Sequence, residues 1–140
     1  MDIERCYGLI EGSGCRPLDT AMVIDFVLEA HSWAAIYALL AWVNLMRNDI
    51  ERSRLLLTKA EEHCRDDHEL AYVLHLKSLA LSRMGHFETA LETCLRCLEV
   101  CKATPNKHLL VRVLLSLAVM YNITGRHDLA RVYTEKVMAV

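Results

Sequence analysis

The sequence predicts an all-α protein built as a stack of antiparallel helix pairs. Three observations carry this. Only 5 glycines and 2 prolines interrupt 140 residues that are 54% hydrophobic, which leaves little turn material for many short strands. Apolar residues recur at helical spacing through long segments. A short corner also repeats, at Asn48-Asp49-Ile50, Gly85-His86-Phe87 and Gly125-Arg126-His127.

Taken in order, Asp2 to Ile10 reads as a short helix that Glu11-Gly12-Ser13-Gly14 breaks. Asp19, after Pro17, is placed to cap a helix from about Thr20 to Ala30. This opening, residues 1–31, does not match the later corners and reads as an N-terminal cap or a degenerate repeat. The first clear pair runs from Trp33 to Arg47 and from Ile50 to Cys64. The second runs from Glu69 to Met84 and from Phe87 to Cys101. Thr104-Pro105-Asn106 stops the helix before it, because proline lacks a donor and restricts its predecessor. The third pair runs from Lys107 to Thr124 and from His127 to the chain end.

Aligning the corners exposes the repeat. Asn48 and Gly85 are 37 residues apart, Gly85 and Gly125 are 40 apart. Seven residues before each corner stand Ala41, Ser78 and Ala118; five residues after stand Ser53, Ala90 and Ala130. Small residues at both places let two helices approach closely, and several columns in register argue for repetition. This pattern resembles the tetratricopeptide repeat family, best in Leu117 to Tyr121 through Gly125 to Ala130. It continues in Ser78 through Gly85 to Ala90 and Cys97, and in Leu40-Ala41 through Asn48 to Ser53 and Ala60. Lys77 and Asn44 depart from it, and the spacing exceeds the family's ~34 residues. The resemblance implies a right-handed superhelix (an α-solenoid) with three repeats, at about 34–67, 69–103 and 107–140, within one domain.

In the resembling family the leading helices line the concave side. Helical spacing then selects Ala38, Trp42 and Leu45, with Ala35, from the first pair. It selects Tyr72, His75 and Leu79, with Ser82, from the second, and Arg112, Leu115, Val119 and Asn122 from the third. The lysines and asparagines with which some members grip a C-terminal carboxylate are missing, since Ala38, Trp42 and Leu76 stand there. A largely apolar trough suits an amphipathic helix or an apolar strip of another protein. The competing reading packs Trp42 and Leu45 against the helix at 20–30.

The remaining chemistry reads as structural. Net charge is −2 with mixed signs, and no basic stripe points to nucleic acid. No secretion signal is expected, and Trp33 to Met46 is too short to span a bilayer. Cys94, Cys97 and Cys101 share one side of a helix, with His63, Cys64 and His68 available from the preceding pair, but a metal needs four converging donors. Inward-packing cysteines acting as small hydrophobes fit better, which points to a reduced, cytoplasmic setting, with Cys6 and Cys15 the more exposed thiols. No phosphate loop, nucleophile elbow or HExxH occurs, and Glu61, Glu62, Asp66, Asp67 and Glu69 read as a solvated junction. No enzyme, metal or cofactor is expected.

The function that follows is a protein-binding adaptor or chaperone, with a likeness to type III secretion chaperones that shield apolar segments of secreted proteins. The alternative is the sensory repeat domain of a longer bacterial regulator, binding a peptide or small effector. Val132, Val137, Met138 and Val140 would lie near an open end of the stack, so self-association there is a further expectation.

Overall fold

The computed structural model describes residues 23–28 and 31–140. All regular structure among them is helical. Residues 23–28 form α1. Six further helices follow: α2 (Trp33–Met46), α3 (Ile50–Glu62), α4 (Asp67–Arg83), α5 (Phe87–Cys101), α6 (Lys107–Ile123) and α7 (His127–Met138). They pack as sequential antiparallel pairs, α2 with α3, α4 with α5 and α6 with α7. The chain divides into two compact units, with the boundary between Arg65 and Asp66. The expected helix at 2–10, the two ends of the expected opening helix (20–22 and 29–30), and Cys6 and Cys15 lie outside the described residues.

Each pair is made by the same corner. Asn48, Gly85 and Gly125 all have positive φ, at 62°, 86° and 81°. In each case the amide of the next residue bonds back five residues: Asp49 to the Asn44 carbonyl (2.9 Å), His86 to Leu81 (2.9 Å) and Arg126 to Tyr121 (2.8 Å). This left-handed cap satisfies carbonyls that the helix end leaves open and turns the chain within a few residues. Glycine adopts that conformation without a Cβ penalty, and asparagine is the side chain that tolerates it best.

On both sides of each corner the small residues are buried: Ala41, Ser53, Ser78, Ala90, Ala118 and Ala130. In the first pair the Ser53 hydroxyl donates to the Ala41 carbonyl across the two helices at 2.9 Å, a separation that a larger side chain would prevent. The N-caps fix the other ends. Ser32, Asp66 and Asn106 accept from the amides of Ala35, Glu69 and Leu109. Capping by Asp66 starts α4 at Asp67, two residues before the start that the apolar pattern suggests.

Burial grades the helices. α2 and α4 are buried on nearly every side, with Ala71 to Leu76 forming an unbroken buried run on α4. α5 buries Ala90, Leu91, Cys94, Cys97, Leu98 and Cys101, whereas α7 buries only Ala130. The α5 thiols explain how one helix serves two neighbours. Cys97 Sγ lies 3.2 Å from the Ala71 carbonyl of α4, and Cys94 Sγ lies 3.8 Å from the Val113 carbonyl of α6.

Gly85→Ala and Gly125→Ala should each destabilise the protein by about 1–2 kcal/mol, because a side chain is forced into the left-handed region. A Cβ at either position would meet no atom within 4 Å, so the cost is conformational, not steric. Chemical denaturation should therefore show a lower midpoint with an unchanged slope.

Candidate partner-binding surface

The ten residues selected from the sequence fall into three states. Ala38, Trp42 and Leu45 on α2 are buried, as are Tyr72 and His75 on α4. Leu79 and Arg112 are half-buried, and Leu115, Val119 and Asn122 are exposed. The first unit thus offers no open apolar wall at these positions. The second unit does, on α6.

That wall follows from the sequence of α6. Val113, Leu114, Leu117, Ala118, Met120 and Tyr121 occupy the buried side. The residues left over at helical spacing are also apolar. Leu115 is 46% exposed, Val119 56% and Ile123 52%. They stand at i, i+4 and i+8, so they share one stripe. Ile123 was not among the sequence-selected residues; its spacing from Val119 is the signal that identifies it. Leu79 and Arg112 belong to the same predicted lining, while Asn122 is held at the corner by a 3.0 Å bond between its Oδ1 and His127 Nδ1.

Tyr72 has a structural task. Its hydroxyl accepts from Asn106 Nδ2 at 3.1 Å, and Asn106 caps α6 through its own Oδ1. The tyrosine therefore ties α4 to the start of α6 and fixes where the exposed stripe begins.

Two buried nitrogens at selected positions, Trp42 Nε1 and His75 Nδ1, have no hydrogen-bond partner among the described residues. Leaving a buried polar atom unsatisfied costs about 1–3 kcal/mol. For His75 the environment also sets the charge. Burial, with the Arg112 guanidinium as a smaller second cause, lowers its pKa from 6.5 to about 4. The imidazole is neutral at physiological pH and adds no charge to the surface.

The thiols follow the same logic. Burial pushes the Cys94 thiol up to about 12, and Cys97 is raised by its hydrogen bond to Cys101 and by burial. That bond lowers Cys101. Among the described residues no group of three or more histidine, cysteine or carboxylate side chains is placed to hold a metal ion. No described helix is long and apolar enough to cross a membrane.

Repeated left-handed corners, small-residue contacts and paired helices are shared with a known family, and its sequence model matches residues 69–140, just over half the chain. The chain belongs to the tetratricopeptide repeat family. Comparison with curated proteins and with solved structures finds no match. Tetratricopeptide repeats are in general protein–protein interaction modules and are typically non-catalytic. In this chain the family match covers α4 to α7, the unit that carries the exposed α6 stripe.

Two outcomes test the electrostatics. Folded His75 resists protonation that the unfolded chain accepts below pH ~6.5. Stability should be full above that pH, fall as pH drops from 6.5 towards 4, and lose about 3 kcal/mol in all from this group. His75→Gln should flatten that part of a stability-versus-pH curve. In the native protein, iodoacetamide should modify half-buried Cys64 well before Cys94 or Cys97, which peptide mass spectrometry can order.

Proposed function

We propose that the protein is a non-enzymatic adaptor or chaperone that holds an amphipathic helix or apolar segment of another protein against its concave face. The observation that carries this is the stripe of Leu115, Val119 and Ile123, three large aliphatic side chains left about half exposed on a leading helix. Covering each with a partner's apolar surface is worth on the order of 1 kcal/mol, enough in combination with neighbouring contacts to favour a helix laid along α6. Leu79, Arg112 and Asn122 extend the lining. Tyr72 and His75 support it from within the same unit, while Ala38, Trp42 and Leu45 hold the core of the first unit.

In this reading residues 1–31 cap three repeats, at about 34–67, 69–103 and 107–140. The protein works in the reducing cytoplasm, which suits buried cysteines such as Cys94, Cys97 and Cys101. Shielding an apolar segment of a client is the chaperone form of the same act. A sensory domain of a bacterial regulator would instead gain thermal stability from a small effector.

The test places charge on the stripe. Leu115→Asp with Val119→Asp should leave helical circular dichroism unchanged, because both side chains are exposed, and should abolish co-purification of bound proteins seen with the unaltered chain by mass spectrometry. An unchanged set of captured proteins on a folded double variant would remove the stripe from the function. Trp42 is unsuited to this test, since at 2% exposure its loss would damage the core.

A further inference from the structure

Charge is divided between the leading and trailing helices of the second unit. The carboxylates of α5 and α7, Glu88, Glu92, Glu99, Asp128 and Glu135, are all exposed. Two of them are already paired, Glu88 with Arg126 at 3.0 Å and Glu99 with Lys102 at 3.0 Å. α6 has no carboxylate among its 17 residues. α4 has two, Asp67 and Glu69, both in its first turn, and Glu69 is buried. Past that turn the leading helices of this unit carry only basic charge, at Lys77, Arg83, Lys107 and Arg112. Two of these stand in line with the aliphatic lining. Arg83 follows Leu79 by four residues, as Ile123 follows Val119, so it shares the side of α4 that carries Leu79. Arg112 precedes Leu115 by three residues and Val119 by seven. Its guanidinium lies close enough to His75 of α4 to disfavour charge on the imidazole, which puts it on the flank of α6 that looks toward α4. Arg83 is exposed and Arg112 half-buried.

We infer that the partner segment laid along α6 is an acidic amphipathic helix, whose aliphatic face covers Leu79, Leu115, Val119 and Ile123 and whose aspartates or glutamates meet Arg83 and Arg112. This rests on the α6 stripe being the docking surface proposed above. Docking takes water from whatever borders the stripe. A neutral helix would strip water from Arg83 and from half-buried Arg112 and return nothing for it, which is costly for a charged group. A basic helix would add repulsion. Carboxylates on the incoming helix replace the lost water with charge-assisted hydrogen bonds. A guanidinium has five donors in a planar fork, so Arg112 can take a further carboxylate beside any bond it already makes. No acid on α6 competes for these groups from within the helix. A second copy of the chain is a poorer occupant, since leading helix against leading helix would set arginine against arginine.

Three synthetic amphipathic peptides test this on the full chain by fluorescence anisotropy. They share one leucine face and carry glutamate, glutamine or lysine along its flanks. The glutamate peptide should bind about tenfold more tightly than the glutamine peptide, the effect expected of two partly exposed ion pairs, and the lysine peptide should bind most weakly. Raising the salt concentration should shrink that difference. Arg83→Glu, at an exposed position, and Arg112→Gln should each weaken the glutamate peptide while leaving the glutamine peptide and the helical circular dichroism unchanged. The inference alone is overturned if the three peptides bind equally and Leu115→Asp with Val119→Asp abolishes all of them, because the docking surface then stands without its charge preference. It is likewise overturned if the glutamate preference survives both arginine substitutions on a folded chain. Binding by none of the peptides would overturn the inference and the docking surface together.

Discussion

The structure depends on a backbone conformation used three times. A residue with positive φ follows each leading helix, and the amide after it reaches back to close the cap. In all three pairs the small residue before the corner and the small residue after it are buried. If either half of that arrangement were lost, the helices would separate and the apolar faces behind the corner would no longer meet. The Ser53 to Ala41 bond shows how tight the approach is: a side-chain hydroxyl spans directly from one helix to the backbone of the other.

Given the corner, the differences between helices come from what each must touch. α5 is contacted on two sides and therefore carries compact residues, three of them cysteines, on both. Burial raises the thiol of Cys94, and the hydrogen bond with Cys101 together with burial raises that of Cys97, so the chemistry a sequence of clustered cysteines suggests is suppressed by the same packing that requires their small volume. α6 packs against α5 and α7 but is apolar beyond the surface they cover. That mismatch between apolar circumference and available neighbours leaves Leu115, Val119 and Ile123 in water, and it is local to the unit in which the family match lies.

Much of this was legible in the sequence, because the repeat is spelled out by residues whose roles are backbone-level. Gly85, Gly125 and Asn48 announce the caps, and Ala41, Ser78, Ala118 and their partners announce the close approach. The pairs and the family followed from these. The lining was less legible. Helical spacing fixes which side of a helix a residue is on, but not whether that side meets solvent. Trp42 and Val119 both stand six residues before their corners, yet one is buried and the other half exposed. Nothing in the two local sequences encodes that difference, since both helices are apolar nearly all round. Helix starts were displaced for a related reason: Asp66 caps α4 through its side chain, a hydrogen bond that apolar periodicity does not register.

The same comparison between equivalent positions separates stickiness that matters from stickiness that does not. Counting exposed aliphatics alone, α7 looks as adhesive as α6, with Leu129, Val132 and Met138 in water. Their positions tell the two helices apart. On α6 the exposed aliphatics follow one another turn by turn along one stripe. On α7 they are scattered, with exposed Arg131 and Thr134 between them. An apolar contact is favourable only when the polar groups between its members can be left wet or paired. The continuous stripe on α6 comes nearer to that condition than the scattered aliphatics of α7 do.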